Sequence, residues 1–145
     1  MRRGTDYRIL TNNPLVVRCM EEWYSIDYLE AGSYRDVLVR ARDLVYAGHT
    51  LFTHPLAGSV KPNETPYRSI VVSREPHAFS AEQAEIVSNS LTAFDKFSEK
   101  DWQWSEKVLA DFQLIDYTLL AGAMEFDAAA GLDKERNRIP DTNKK

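Results

Sequence analysis

A single cysteine, Cys19, is all the chain offers for redox chemistry, so no intramolecular disulfide can form and a reducing compartment is the natural setting. Histidine is almost as scarce. His49, His54 and His77 are the three present, none in an HxxxH pair and none beside a CxxC, which argues against a metal site. His49 and His54 close opposite ends of one short apolar segment, about 17 Å apart at ~3.3 Å per residue in a strand, too far to share an ion. No run approaches the ~18 apolar residues of a membrane span. The basic start, Met1-Arg2-Arg3-Gly4, has no apolar stretch after it and does not read as a secretory signal. Positive charge is not in excess either: the net charge is −4. A general nucleic-acid binder needs a basic face to neutralise phosphates, so that class is disfavoured. A cytoplasmic protein with no nucleic-acid and no membrane partner is expected.

What is present is ordinary for one globular domain: 145 residues, 43% hydrophobic and 28% charged. Tyr7–Thr11 predicts a strand. Asn12-Asn13-Pro14 stops it and opens a helix to about Glu22, because Asn caps well and Pro suits the first helical position. Tyr24–Leu29 predicts a second strand. Ser33 with Asp36 starts a helix whose apolar stripe is Tyr34, Val37, Leu38, Ala41, Leu44 and Val45, and Gly48 ends it. Thr50–Thr53 and Ser69–Ser73 predict a third and a fourth strand. Ser80, with Gln83 completing a capping box, begins a third helix bearing Val87, Leu91 and Phe94. A fourth begins near Ser105, with Val108, Leu109, Phe112, Ile115, Leu119 and Leu120 at helical spacing.

This alternation predicts an α/β fold, a small three-layer-like domain with a mostly parallel four-stranded sheet and about four helices. Right-handed crossovers give strand order 2-1-3, with the fourth strand of open direction. Residues 1–131 are expected to form a single α/β domain and 132–145 a polar, disordered tail. Val37, Leu44, Leu51, Val71, Leu91, Phe112, Ile115 and Leu119 are expected to share the core.

In an open parallel sheet, ligands sit at the carboxyl ends of strands where the order reverses. Here that point brings together the loops after strands one and three. The first, Asn12-Asn13, opens a helix whose leading N–H groups favour an anion. The second, His54 to Pro66, holds three of the six prolines and is long for a compact domain, a property often linked to function. The candidate ligand-binding residues are therefore Asn12, Asn13, His54, Ser59, Lys61, Asn63 and Glu64. For Asn13 a plain capping role competes. Ala57-Gly58-Ser59-Val60 is no nucleophile elbow, and Gly58 lacks the companions of a phosphate-binding loop. Cys19 reads as a core residue, and Trp102 and Trp104 as packing or a partner surface. No cofactor is indicated and no catalytic residue can be assigned.

The wording of these loops resembles one family. Thr11-Asn12-Asn13-Pro14-Leu15-Val16, Ser33-Tyr34-Arg35-Asp36-Val37-Leu38, the segment Gly48 to Tyr67 and Asp111–Asp116 are similar to stretches of GrdX-like proteins. The resemblance spans roughly Tyr7 to Leu120. It implies an accessory role beside the glycine reductase genes of amino-acid-fermenting anaerobes. That system reduces glycine or related amines through a selenoprotein and yields acetyl phosphate. The resemblance implies no mechanism and no catalytic residues. Three readings stay open: an accessory protein binding a small anion, or a reductase component, through the two loops; a small enzyme using His54 as acid or base with Glu64 or Lys61; and a protein–protein interaction module using Trp102, Trp104 and the fourth helix.

Overall fold

A computed structural model describes residues 6–57, 61, 64–97 and 103–138. Eight elements follow one another: β1 (Tyr7–Thr11), α1 (Pro14–Met20), β2 (Ser25–Tyr28), α2 (Tyr34–Tyr46), β3 (Ser69–Ser73), α3 (Ala81–Asp95), α4 (Glu106–Ala123) and α5 (Ala128–Arg138). The sheet has three strands in the order β2-β1-β3. β1 and β2 pair in parallel, joined through α1, with Ile9 opposite Ile26. β3 runs antiparallel to β1, with Ile9 opposite Val71 and Thr11 opposite Ser69.

The expected mostly parallel, four-stranded sheet with about four helices is thus corrected, among the described residues, to a mixed three-stranded sheet with five helices. The neighbour of β1 is not the segment Thr50–Thr53 but Ser69–Ser73. Thr50–Thr53 lies along the far edge of β3, where it makes a single isolated bridge, Leu51 to Val72. The physical reason is visible in its hydrogen bonds. Phe52 N donates to Val71 O and Ser73 N to Thr50 O, as in a ladder. Side chains take the remaining places. Val71 N donates to Thr53 Oγ1, and Thr50 N to Ser73 Oγ. The Gln83 side chain accepts from Leu51 N at 2.8 Å and donates to Leu51 O at 3.1 Å, standing in for a neighbouring strand. Gln83 is therefore spent on Leu51 and not on the expected capping box; Ser80 Oγ caps α3 by accepting from Gln83 N.

Local signals place the other helices. Asn13 Oδ1 accepts from Leu15 N with Pro14 in the first turn of α1. Ser33 and Asp36 form a complete capping box on α2. Gly48 holds a φ of 107°, which L side chains rarely adopt, and a Cβ there would collide with His77 O.

Hydrophobic side chains pack on both faces of the sheet. On one, Ile9, Val71, Val16 and Met20 meet Tyr117 and Leu120 of α4 and Met124, which caps its C-terminus. On the other, Leu10, Ile70 and Val72 meet Val37, Leu38, Ala41 and Leu44 of α2, with Leu91 of α3. α5 covers the first cluster: Leu132 packs against it, Glu135 accepts from Arg18, Lys134 pairs with Glu22, and Tyr117 Oη donates to Ala128 O. The boundary expected between residues 131 and 132 falls inside this helix.

α4 is turned against expectation. Asp116, Tyr117, Leu120 and Ala121 face the core, while Val108, Ile115 and Leu119 face outward, Ile115 being 47% and Leu119 41% exposed. Phe112 is half-buried against Trp104, and Leu51 is half-buried too. Truncating Leu119 to alanine is expected to cost under about 1 kcal/mol in urea denaturation, as at a surface position. Leu120→Ala, at 4% exposure, is expected to cost about 2–5 kcal/mol. Equal costs would mean that α4 is rotated from the position described.

Candidate functional site

Where β1 ends and β3 begins, the chain buries a cluster of polar side chains that closes on itself. Asn13 N donates to Thr11 Oγ1 at 2.9 Å. Thr11 Oγ1 lies 2.7 Å from Ser69 Oγ, which donates to Asp116 Oδ2 at 2.6 Å. Asn13 Nδ2 donates to the same oxygen at 3.0 Å and to Gln113 O at 2.9 Å. The antiparallel pairing of Thr11 with Ser69 sets two hydroxyls side by side, and α4 brings a carboxyl over them. Burial pushes the Asp116 carboxyl above its ordinary range, with the Ser69 and Asn13 hydrogen bonds and the Arg68 charge pulling the other way.

Arg68 adjoins this cluster. It is 8% exposed. Its backbone N donates to Asn12 Oδ1 at 2.9 Å, its Nε to Pro55 O at 2.8 Å and its Nη2 to His54 O at 2.5 Å. Those acceptors are carbonyls; no carboxylate forms an ion pair with Arg68 among the described residues. Arg68 opens onto a cleft of about 300 Å³ between the segment Phe52–Ala57 and α4. Ser69, Thr53 and His54 also line it, and Leu119, Leu120 and Ala123 wall it from α4.

The residues expected from sequence occupy different places around this cleft. Asn12 is a buried tie: Nδ2 donates to Gly32 O and Pro66 O while Oδ1 holds Arg68. Asn13 caps α1 and anchors Asp116. His54 lines the cleft and is exposed; its Nδ1 lies 3.0 Å from Leu56 N and 3.1 Å from Leu56 O, so the ring is held against the backbone of its own loop. Arg68 links Asn12 and His54, one through its amide and the other through its guanidinium. Lys61 is exposed and its carbonyl accepts from Glu64 N, but neither residue is among those described as lining the cleft. Ser59, Pro62, Asn63 and Trp102 lie outside the described residues. Sequence reasoning did not find Arg68 or Asp116 as site residues. The available signals were a charge at the mouth of the all-buried β3 and a carboxylate inside the apolar run of α4.

Cys19 is buried, and its thiol is pushed up to about 11, chiefly by burial. Among the described residues no group of three His, Cys, Asp or Glu is arranged to hold a metal ion, and no helix is long and apolar enough to cross a membrane.

The family model of GrdX-like proteins matches residues 8–125. The chain belongs to the GrdX-like protein family. The match covers the sheet, the Arg68 cleft and α4, and stops within the turn before α5. No curated protein and no solved structure matches the chain.

Proposed function

We propose that this GrdX-like protein is a cytoplasmic accessory protein of glycine, sarcosine and betaine reductase metabolism that binds a small anion in the Arg68 cleft. Membership of the family supports the pathway. The buried guanidinium supports the anion. A charge removed from water is costly unless it is paired, and the described residues supply Arg68 with carbonyl dipoles but no ion pair. Asp116 is near enough to feel the Arg68 charge, but it makes no ion pair with Arg68 and its burial acts against the ionised form. An anion entering from the cleft completes the site, with Ser69 and the His54 ring within the same lining.

The test is a thermal-shift comparison of phosphate, acetyl phosphate, acetate, glycine, sarcosine and betaine, against a neutral osmolyte at matched ionic strength. A ligand at a hundred times its Kd stabilises by about 2.7 kcal/mol. At least one anion is expected to raise Tm measurably; if none does, the anion reading fails.

A second reading, a protein-binding module, is favoured by the outward stripe of α4. A helix apolar on two opposite faces commonly has both covered, and Val108, Ile115 and Leu119 have solvent on theirs. A glycine reductase component would be the expected partner. Ile115→Glu would weaken such a complex without touching the Arg68 cleft.

A further inference from the structure

The cleft is larger than a bare anion needs, and part of its wall is apolar. Its volume, about 300 Å³, is that of roughly ten waters at ~30 Å³ each. Two of its polar residues, Arg68 and Ser69, sit at the level of Asp116 on α4. Ser69 hydrogen-bonds to Asp116, and Arg68 is its neighbour in the chain. Leu120 lies one turn beyond Asp116 and Ala123 about two, some 10 Å along the axis at ~1.5 Å per residue. Phe52 and Leu56 lie on the other wall.

The guanidinium is also oriented. Nε and one Nη2 hydrogen are used on Pro55 O and His54 O, which fixes the plane of the group. Of its five N–H donors, three have no acceptor among the described residues: both on Nη1 and one on Nη2. That end of the group offers two parallel donors, the fork that matches a carboxylate. No Asp or Glu stands among the described lining residues, so an ammonium group would enter without a counter-charge.

We propose that the cleft binds a monocarboxylate carrying an aliphatic or aromatic tail, with the head on the Arg68 fork and the tail along Leu119, Leu120 and Ala123, and that it discriminates against amino acids. This rests on the anion reading and adds the class of anion. Acetate or phosphate would satisfy the fork and leave most of the apolar wall wet.

Titration calorimetry on the full chain with acetate, butyrate, hexanoate, octanoate, phosphate, 2-aminohexanoate and hexylamine tests it. Affinity is expected to rise about fourfold per methylene from acetate until the wall is covered, and then to level off. Hexanoate is expected to bind at least tenfold more tightly than 2-aminohexanoate, about 1.4 kcal/mol, and hexylamine to give no saturable heat. If acetate, phosphate and hexanoate bind alike, the carboxylate-with-tail proposal is overturned while the anion site stands. If 2-aminohexanoate matches hexanoate, the discrimination against amino acids is overturned. If no anion binds, or if hexylamine binds as well as hexanoate, the underlying anion reading falls as well.

Discussion

Arg68→Met is expected to weaken the tightest anion found for the cleft by about 2–5 kcal/mol, the usual cost of truncating one partner of a buried, hydrogen-bonded charge pair. In calorimetry that is a loss of about thirtyfold or more. Methionine keeps much of the apolar stem, so packing against β3 and the 52–57 segment changes little. The fold is expected to pay a smaller and separable cost. Pro55 O and His54 O each lose a donor, while a charge is no longer buried. The variant should therefore remain folded and cooperative by circular dichroism, with the ligand-dependent part of its Tm gone. Equal anion responses in wild type and variant would reduce Arg68 to a structural tie between β3 and the loop.

Asp116 carries the second large effect. Asp116→Ala removes the acceptor of the Ser69 hydroxyl and of one Asn13 Nδ2 hydrogen, the other Nδ2 hydrogen keeping Gln113 O. At about 1–3 kcal/mol for each orphaned group, the expected loss is roughly 2–6 kcal/mol in urea denaturation. Asp116→Asn retains a carbonyl at that place and should cost far less. The pH dependence separates the two states of the carboxyl. Burial raises the folded-state value above the ordinary 3.8, so the folded chain holds the proton more tightly than the unfolded chain. The stabilising contribution is then complete below the unfolded value and is lost as pH rises through the folded one. Wild type minus Asp116→Asn should accordingly give a stability difference that declines with rising pH. A difference that grows with pH would mean an ionised Asp116, a neutralised Arg68, and no vacancy for an external anion.

The sequence made most elements legible because their signals are local. Asn13-Pro14, Ser33 with Asp36, and Ser105 mark helix starts through hydrogen bonds made within one turn, and each caps the helix it was expected to cap. The sheet was less legible, since pairing is decided far away. Thr50–Thr53 has the composition of a strand, yet the Gln83 side chain, some thirty residues on, occupies the edge a strand would have used. Likewise α4 was recognisable as a helix but not in its rotation. It carries apolar residues on two faces, and periodicity cannot say which one the core takes. The buried hydrogen bonds of Asp116 choose the face with Tyr117 and Leu120.

The same distinction holds for the site. The expectation that Asn12 and His54 meet rested on adjacent parallel strands, and those strands are not adjacent. Both residues nevertheless touch Arg68, because β3 enters the sheet between β1 and the 50–53 segment. Among the described lining residues the cation is Arg68, which immediately precedes β3. Nothing in the spacing around Tyr67-Arg68-Ser69 marks it, since its importance comes from burial.

The most direct measurement of the anion site is a titration of the ¹⁵N-labelled protein with hexanoate, followed through backbone amide and arginine Nε–H resonances. Saturable shifts are expected at Thr53, His54, Ser69, Leu120 and the Arg68 Nε–H, with none of that set moving in Arg68→Met. Shifts that never saturate, that fall elsewhere on the chain, or that persist in Arg68→Met would contradict the site.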